Sequence, residues 1–147
     1  MTPRDWLLLF IAARPSTEPL DPIRLQKGMF LLAREAGLEP PERYWFVPYN
    51  YGPMSAAVYR DLSRLAAEGL VEQTAVPGRS WRRFAVTEAG RARARSLRRR
   101  ARRQSPAGVD RLAEIKRSIV RMSVGQLISD VYERYPYYAS KAAFRRG

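Results

Sequence analysis

The stretch from Ser55 to Val86, SAAVYRDLSRLAAEGLVEQTAVPGRSWRRFAV, decides the fold. Ser55 is a suitable N-cap, and Gly69 a suitable stop, for an amphipathic helix over residues 56–68. A hairpin follows at once, because two segments of alternating apolar and polar side chains flank a proline–glycine turn. That order predicts a mainly α protein with a small β-hairpin, arranged as a winged helix-turn-helix with a C-terminal helical extension.

The elements upstream of this stretch open with two cap-and-proline signals, Thr2-Pro3 and Asp21-Pro22. The predicted elements, in chain order, are helices over residues 3–14 and 23–36, a strand over residues 44–51 and a turn at Gly52-Pro53. The apolar run at residues 6–13 (WLLLFIAA) is far shorter than the roughly 20 residues that span a bilayer. We therefore predict a buried first helix, no membrane association and a cytoplasmic location.

Downstream of the hairpin the chain is predicted to be helical. The predicted segments are strands at residues 70–76 and 81–86, a basic helix that residues 87–90 open and that reaches about residue 103, a linker at residues 104–108 and helices over residues 109–122 and 123–135. Residues 1–90 are predicted to form the winged helix-turn-helix domain, and residues 91–147 the arginine-rich and C-terminal helices. The last two helices carry apolar stripes, for which we expect a homodimer interface; packing on their own domain is the alternative.

The charge of the chain is strongly one-sided. It has 27 Lys and Arg against 14 Asp and Glu, a net charge of +13. Such an excess favours a polyanionic partner, and nucleic acid is the commonest one. The chain contains neither Cys nor His, which excludes disulfides, cysteine-ligated metals and the usual general base. We expect a non-enzymatic protein without a cofactor.

Candidate DNA-binding residues lie first on the helix at residues 56–68. A recognition helix needs short and polar side chains near its N-terminus to enter the major groove. The candidates on this element are Ser55, Ala56, Tyr59, Arg60, Ser63 and Arg64. The alternative is that Arg60 pairs with Asp61 or Glu68 on a solvated face.

The hairpin and the basic helix supply the remaining candidates. On the hairpin these are Arg79, Ser80, Arg82 and Arg83, which suit phosphates or a narrow minor groove, unless they only protect an edge strand. On the helix they are Arg91, Arg95, Arg98 and Arg99, which would add phosphate affinity. The alternative is a solvated helix. Its expected apolar strip, Ala89, Ala92, Leu97 and Ala101, looks too thin for a core element.

Clustered carboxylates are the remaining possible chemistry. Asp110 with Glu114, and Asp130 with Glu133, stand at helical spacing among basic neighbours. A Mg²⁺ site would need such groups to converge, but this pattern is typical of ordinary helix charges. We predict no metal site.

Three motifs carry a resemblance to a known family: RLQK at residues 24–27, FVPYNYGP at residues 46–53 and VYRDL at residues 58–62. With VYERYPYYA at residues 131–139, they resemble the phage-associated YwgA-like winged-helix family, related to the Panacea-type antitoxin domains. The resemblance implies a winged-helix fold and a prokaryotic or mobile-element setting, without a settled activity. The alternative for Gln26, Lys27, Tyr51 and Gly52 is that they join the second helix to the turn before the third.

Together these patterns predict a sequence-specific protein for double-stranded DNA, as a dimeric transcriptional regulator. A protein-interaction module, such as an antitoxin or phage-defence accessory using the aromatic residues 44–51 and the C-terminal tyrosines, is the alternative. RNA binding is a third possible function, and only the positive net charge favours it.

Overall fold

The computed structural model describes residues 1–16 and 18–139. Over that range the protein is mainly helical, with two small antiparallel hairpins. The elements are α1 (Pro3–Ala12), α2 (Pro22–Glu35), β1 (Val47–Tyr49), β2 (Gly52–Met54), α3 (Ala56–Ala67), β3 (Val71–Ala75), β4 (Arg82–Val86), α4 (Glu88–Gln104), α5 (Pro106–Arg121), α6 (Val124–Arg134) and a final 3-10 turn (Pro136–Ala139).

The first two helices begin where the cap-and-proline signals predict. Thr2 and Asp5 form a reciprocal capping box at the start of α1, and the Asp21 carboxylate accepts from the Arg24 amide at 2.8 Å at the start of α2. Gly37 follows α2 with φ +62°, the left-handed backbone that favours glycine after a helix. The predicted boundaries of α1 and α2 are confirmed to within two residues.

Two hairpins are present where one was predicted. β3 pairs with β4 in the register Val71↔Val86 to Ala75↔Arg82, which confirms the predicted hairpin. The second hairpin joins β1 to β2, so the prediction of a turn at Gly52-Pro53 is wrong. Both residues lie in β2, and the turn falls at Asn50 and Tyr51. A three-residue strand holding a glycine and a proline carries little strand pattern of its own, so only its pairing with β1 reveals it.

The loop before α2 also joins the β3–β4 hairpin. Leu20 exchanges two backbone hydrogen bonds with Phe84, at 2.8 and 2.9 Å, in an antiparallel bridge. Both side chains are buried. The β4 strand therefore has a partner on each side, Leu20 on one edge and β3 on the other.

The predicted linker at residues 104–108 is wrong. Only Ser105 separates α4 from α5, and Pro106 occupies the first turn of α5. Proline lacks the N–H that a first-turn position would leave unsatisfied, so the Ser-Pro signal marks a helix start here and not a longer break.

One core joins both halves of the chain. It includes the apolar run of α1, residues of α2, α3 and the β3–β4 hairpin, and residues of α4, α5 and α6. Two cations, the buried Lys116 and the half-buried Arg24, tie helix ends into it. Lys116 of α5 donates to the carbonyls of Ile11 and Ala13 at the C-terminus of α1, at 2.5 and 2.8 Å. Arg24 of α2 donates to the carbonyls of Ile119 and Met122.

Candidate nucleic-acid interface

The α3 helix buries one face and exposes the other. Val58, Leu62 and Leu65 enter the core. The predicted recognition residues Ala56, Tyr59, Arg60, Ser63 and Arg64 are all exposed. The amphipathic pattern therefore identified the outward face correctly, because helical spacing alone separates the two sets.

Ser55 lies elsewhere. It is only 5% exposed, and its side chain makes no capping hydrogen bond. Its backbone instead forms a two-way clamp with Gln26 of α2. The Ser55 amide donates to Gln26 Oε1 and Gln26 Nε2 donates to the Ser55 carbonyl, both at 2.9 Å. Ser55 is thus withdrawn from the surface, and Gln26 fixes the start of α3 against α2.

The acids expected to pair with Arg60 have other partners. Asp61 accepts a hydrogen bond from the Tyr44 hydroxyl at 2.7 Å, which together with burial raises the pKa of Tyr44. Glu68 lies 3.7 Å from Arg4 of α1. Within residues 1–16 and 18–139, neither Arg60 nor Arg64 forms an ion pair, so both guanidinium groups remain available to a ligand.

The β3–β4 hairpin presents a basic loop. Gly78 takes φ +75° at its tip, and Arg79, Ser80, Arg82 and Arg83 are all exposed. Phe84 is the aromatic residue that packs on the core, whereas Trp81 stays 36% exposed. Strand alternation places Trp81 and Phe84 on opposite faces of β4, so only one of the two rings can face the core.

A groove brings α3 and this loop together. Its volume is about 900 Å³, and Tyr59 shares its lining with Arg79, Ser80, Arg82 and Arg83. Arg60, Ser63 and Arg64 lie beyond it along α3. The arginines of α4 line no part of the groove. The groove therefore joins α3, through Tyr59, to the basic loop of the β3–β4 hairpin, and α4 lies outside it.

The α4 helix is a core element, contrary to the expectation of a thin apolar strip. Its buried positions are Gly90, Ala94, Leu97 and Ala101, not Ala89 and Ala92. Small side chains let α4 approach α1 and α5 closely, so a short strip still makes a well-packed face. Arg91 is half-buried, while Arg95, Arg98 and Arg99 are exposed. Among described ion pairs of α4, only Arg102 with Asp110 occurs, at 2.6 Å.

The apolar stripes of the last two helices are covered within the chain. Leu112, Ile115 and Ile119 of α5 are buried against the rest of the core, as are Leu127 and Val131 of α6. The alternative of packing on the same domain accounts for these stripes. A dimer would need a different surface.

Three of the four candidate carboxylates on these helices, Asp110, Glu114 and Asp130, pair with arginines. Glu114 contacts Arg111 at 2.9 Å, and Asp130 contacts Arg134 at 3.3 Å. In the described part of the chain, no three carboxylates converge as a metal site would need.

Two features of this region have no counterpart in the sequence-based prediction. Lys27, on the buried side of α2, reaches the groove. Arg34 stacks over the rings of Phe30, Tyr135 and Tyr138, 5.3 to 5.8 Å from their centroids. That stack lies beside a second cleft of about 480 Å³, which Trp45, Val47 and Tyr137 line. The place of Lys27 in the groove and the stack around Arg34 both depend on contacts between distant segments, and helical periodicity gives no signal for such contacts.

Comparison with known proteins adds no assignment: no family model matches the chain, and no curated protein matches it significantly. No helix among residues 1–16 and 18–139 is long and apolar enough to cross a membrane.

Proposed function

We propose that this protein is a non-enzymatic, sequence-specific DNA-binding protein that acts as a dimeric transcriptional regulator of prokaryotic or mobile-element origin. One observation carries the proposal. The outward face of α3 exposes Tyr59, Arg60, Ser63 and Arg64, and neither of its arginines is neutralised by a described acid. An exposed helix face with unpaired arginines suits the major groove, where arginine reads the N7 and O6 of guanine.

The order of the elements supports a winged helix-turn-helix. The helices α1, α2 and α3 are followed by the β3–β4 hairpin, and Leu20 adds a third strand position beside β4. The chain departs from the simplest helix-turn-helix between α2 and α3. There the β1–β2 hairpin replaces the usual turn of about 3–4 residues, and the Gln26–Ser55 clamp holds the two helices together across it.

The proposed roles follow from the exposed side chains. Residues of α3 would read bases, and Arg79, Arg82 and Arg83 would hold the flanking backbone or minor groove. The arginines of α4 would add phosphate affinity without sequence preference. A homodimer would match a two-fold symmetric DNA site, through a surface other than the stripes of α5 and α6.

The first test is fluorescence anisotropy on the upstream DNA of the protein's own gene, beside a scrambled duplex, across about 50–200 mM salt. We expect selective binding that survives the higher salt. Arg60→Ala should cost about 1–3 kcal/mol on the selected site and less on the scrambled duplex. Arg117→Ala, an exposed arginine on α5, is the matched control and should change neither. Equal losses of affinity on both duplexes would show that Arg60 contacts phosphate and does not read bases.

A protein-interaction module is the second candidate, and the second cleft favours it. Trp45 and Tyr137 are 73% and 69% exposed, and they come from the two aromatic segments predicted for that role. Both line the same cleft. Large exposed aromatics in a cavity are typical of protein anchors. The test is to purify the protein and look for a stoichiometric partner. Loss of that partner in Tyr137→Ala, together with weak binding of the parent protein to both duplexes, would favour this function over DNA binding.

A further inference from the structure

The groove between the two hairpins has the form of a ligand site. The first turns of α2, the β1–β2 hairpin, the start of α3 and the β3–β4 loop surround it. Its volume of about 900 Å³ lies in the range of small-molecule pockets, roughly 300–1,000 Å³. A cavity of this kind is lined by apolar and aromatic side chains, with a few polar groups that orient the ligand.

Exposed aromatic rings are concentrated in this groove. Seven large apolar side chains are exposed in the described chain, and four of them line it: Tyr49, Tyr51, Tyr59 and Trp81. Within the described residues, none of these four rings packs against another ring or beneath a guanidinium group. Each side chain is 36–50% exposed, so part of each ring is accessible to a planar group. Base–aromatic stacking contributes about 1–3 kcal/mol per base.

Lys27 supplies a buried positive charge at the same place. It is only 3% exposed, yet it lines the groove and makes no hydrogen bond or ion pair with any described residue. Its Nζ lies 3.6 Å from the point that a Cβ on Gly52 would occupy, directly under β2. Asp21, the carboxylate whose charge acts on Lys27, is engaged by the Arg24 amide and guanidinium. Buried charges in proteins are normally paired, and within the described chain no acid lies in salt-bridge contact with this ammonium.

Burial also lowers the pKa of Lys27 from 10.5 to about 8, which leaves the ammonium mostly protonated at neutral pH. Arg79, Arg82 and Arg83 add three exposed guanidinium groups at the rim. The groove thus combines stacking faces with a buried cation and a cationic rim.

We propose that this groove binds a nucleotide, with its base against the aromatic rings and its phosphate at Lys27. The nucleotide is either free or an unpaired unit of a strand, since both present the same base and phosphate. The proposal goes beyond duplex recognition, because Lys27, Tyr49 and Tyr51 lie outside the proposed DNA-reading face of α3.

Trp81 is a built-in reporter for the test. Trp6 is fully buried and Trp45 lies in the other cleft, so Trp45→Phe leaves Trp81 as the accessible indole. In that protein we would titrate nucleoside 5′-monophosphates, the corresponding nucleosides, inorganic phosphate and a single-stranded oligonucleotide, and follow Trp81 fluorescence. We expect saturable quenching by a nucleotide or by the oligonucleotide, and roughly tenfold weaker binding of the nucleosides.

Variants separate the site from a general charge effect. Lys27→Met and Tyr51→Ala should each weaken nucleotide binding by roughly tenfold, while anisotropy on the duplex stays unchanged. Tyr137→Ala, an exposed tyrosine of the other cleft, is the matched control and should have no effect. Circular dichroism and thermal unfolding check that each variant is folded, and Tyr51→Ala tests the site should Lys27→Met fail to fold.

Each outcome of the titration either supports or overturns the nucleotide site. Saturation by free monophosphates identifies a free nucleotide as the ligand, and saturation by the oligonucleotide alone identifies an unpaired strand. The proposal is overturned if no nucleotide or oligonucleotide saturates, if inorganic phosphate binds as well as they do, or if Tyr51→Ala and Lys27→Met bind like the parent. Failure of Arg60→Ala to affect duplex binding would count against the proposed function and leave this site untouched.

Discussion

At the scale of single residues, two buried lysines have opposite consequences. Lys116 is fully buried but donates to the Ile11 and Ala13 carbonyls, whereas Lys27 is buried and no described residue accepts a hydrogen bond from it. The cost of burying a charge is offset only where hydrogen bonds replace its hydration. We therefore expect Lys116 to stabilise the fold and Lys27 to destabilise it, as groups held ready for a ligand often do.

These two lysines give a stability prediction with a matched pair of variants. Lys27→Met should raise the free energy of unfolding by about 1–3 kcal/mol at neutral pH, because it removes a buried charge that makes no hydrogen bond or ion pair with a described residue. Lys116→Met should lower it by about 1–3 kcal/mol, because two buried carbonyls lose their donor. Urea unfolding of the free protein measures both. A loss of stability in Lys27→Met would show that its ammonium is paired after all.

The same residues predict how stability depends on pH. Burial lowers the pKa of both Lys27 and Lys116 from 10.5 to about 8. Between these two values the unfolded chain holds protons that the folded chain has lost, so stability rises with pH. We expect the free energy of unfolding to increase from about pH 8 to about pH 10, and the increase to shrink in Lys27→Met. Above that window, the raised pKa of Tyr44 opposes the trend. A flat or falling profile in urea titrations would contradict the prediction.

At the scale of elements, α4 depends on one close approach. Gly90 lies against the junction of α3 and β3, where an added Cβ would fall 2.0 Å from the Leu70 carbonyl oxygen. Thr87, the N-cap of α4, is bonded to that same junction through the carbonyls of Gly69 and Leu70. These hydrogen bonds hold the start of α4 against the junction, so the helix cannot shift to accommodate a larger side chain at residue 90.

Gly90→Ala should accordingly lower the free energy of unfolding by about 1–3 kcal/mol, despite the better helix propensity of alanine. Thermal unfolding measures the effect. Ser96→Ala, at an exposed position of α4, is the control and should shift stability by less than about 0.5 kcal/mol. An unchanged midpoint in Gly90→Ala would mean that α4 can tilt away from Leu70.

At the scale of the whole molecule, the arginines behind the net charge of +13 are not expected to contribute equally to duplex binding. The proposed phosphate role of α4 predicts that replacing Arg98, Arg99 and Arg100 by Gln makes the salt dependence of duplex binding shallower. Each lost phosphate contact should reduce the logarithmic slope by about 0.9. Replacing Arg111, Arg117 and Arg121 of α5 by Gln removes the same charge and is the matched control. Equal slopes in the two triple variants would assign the effect to net charge and not to α4.

Much of the architecture could be predicted from local signals. Caps, prolines and glycines placed α1, α2 and α3, and helical spacing gave the exposed face of α3, because these depend on neighbours within a few residues. The β1–β2 hairpin and the continuity of α4 with α5 were missed, since a three-residue strand and a single-residue break have almost no local pattern. The buried face of α4 was misplaced because small residues on several sides made the strip ambiguous until α1 and α5 selected one.

Composition and periodicity were enough to give the helical class, the absence of cysteine and histidine chemistry, the basic charge and the outward arginines of α3. The burial of Ser55, its clamp by Gln26, and the groove that Lys27 lines together with four aromatic rings from three segments became visible only in the folded chain. These features depend on which surfaces come together, and such contacts are set by the packing of the whole core and not by any local stretch.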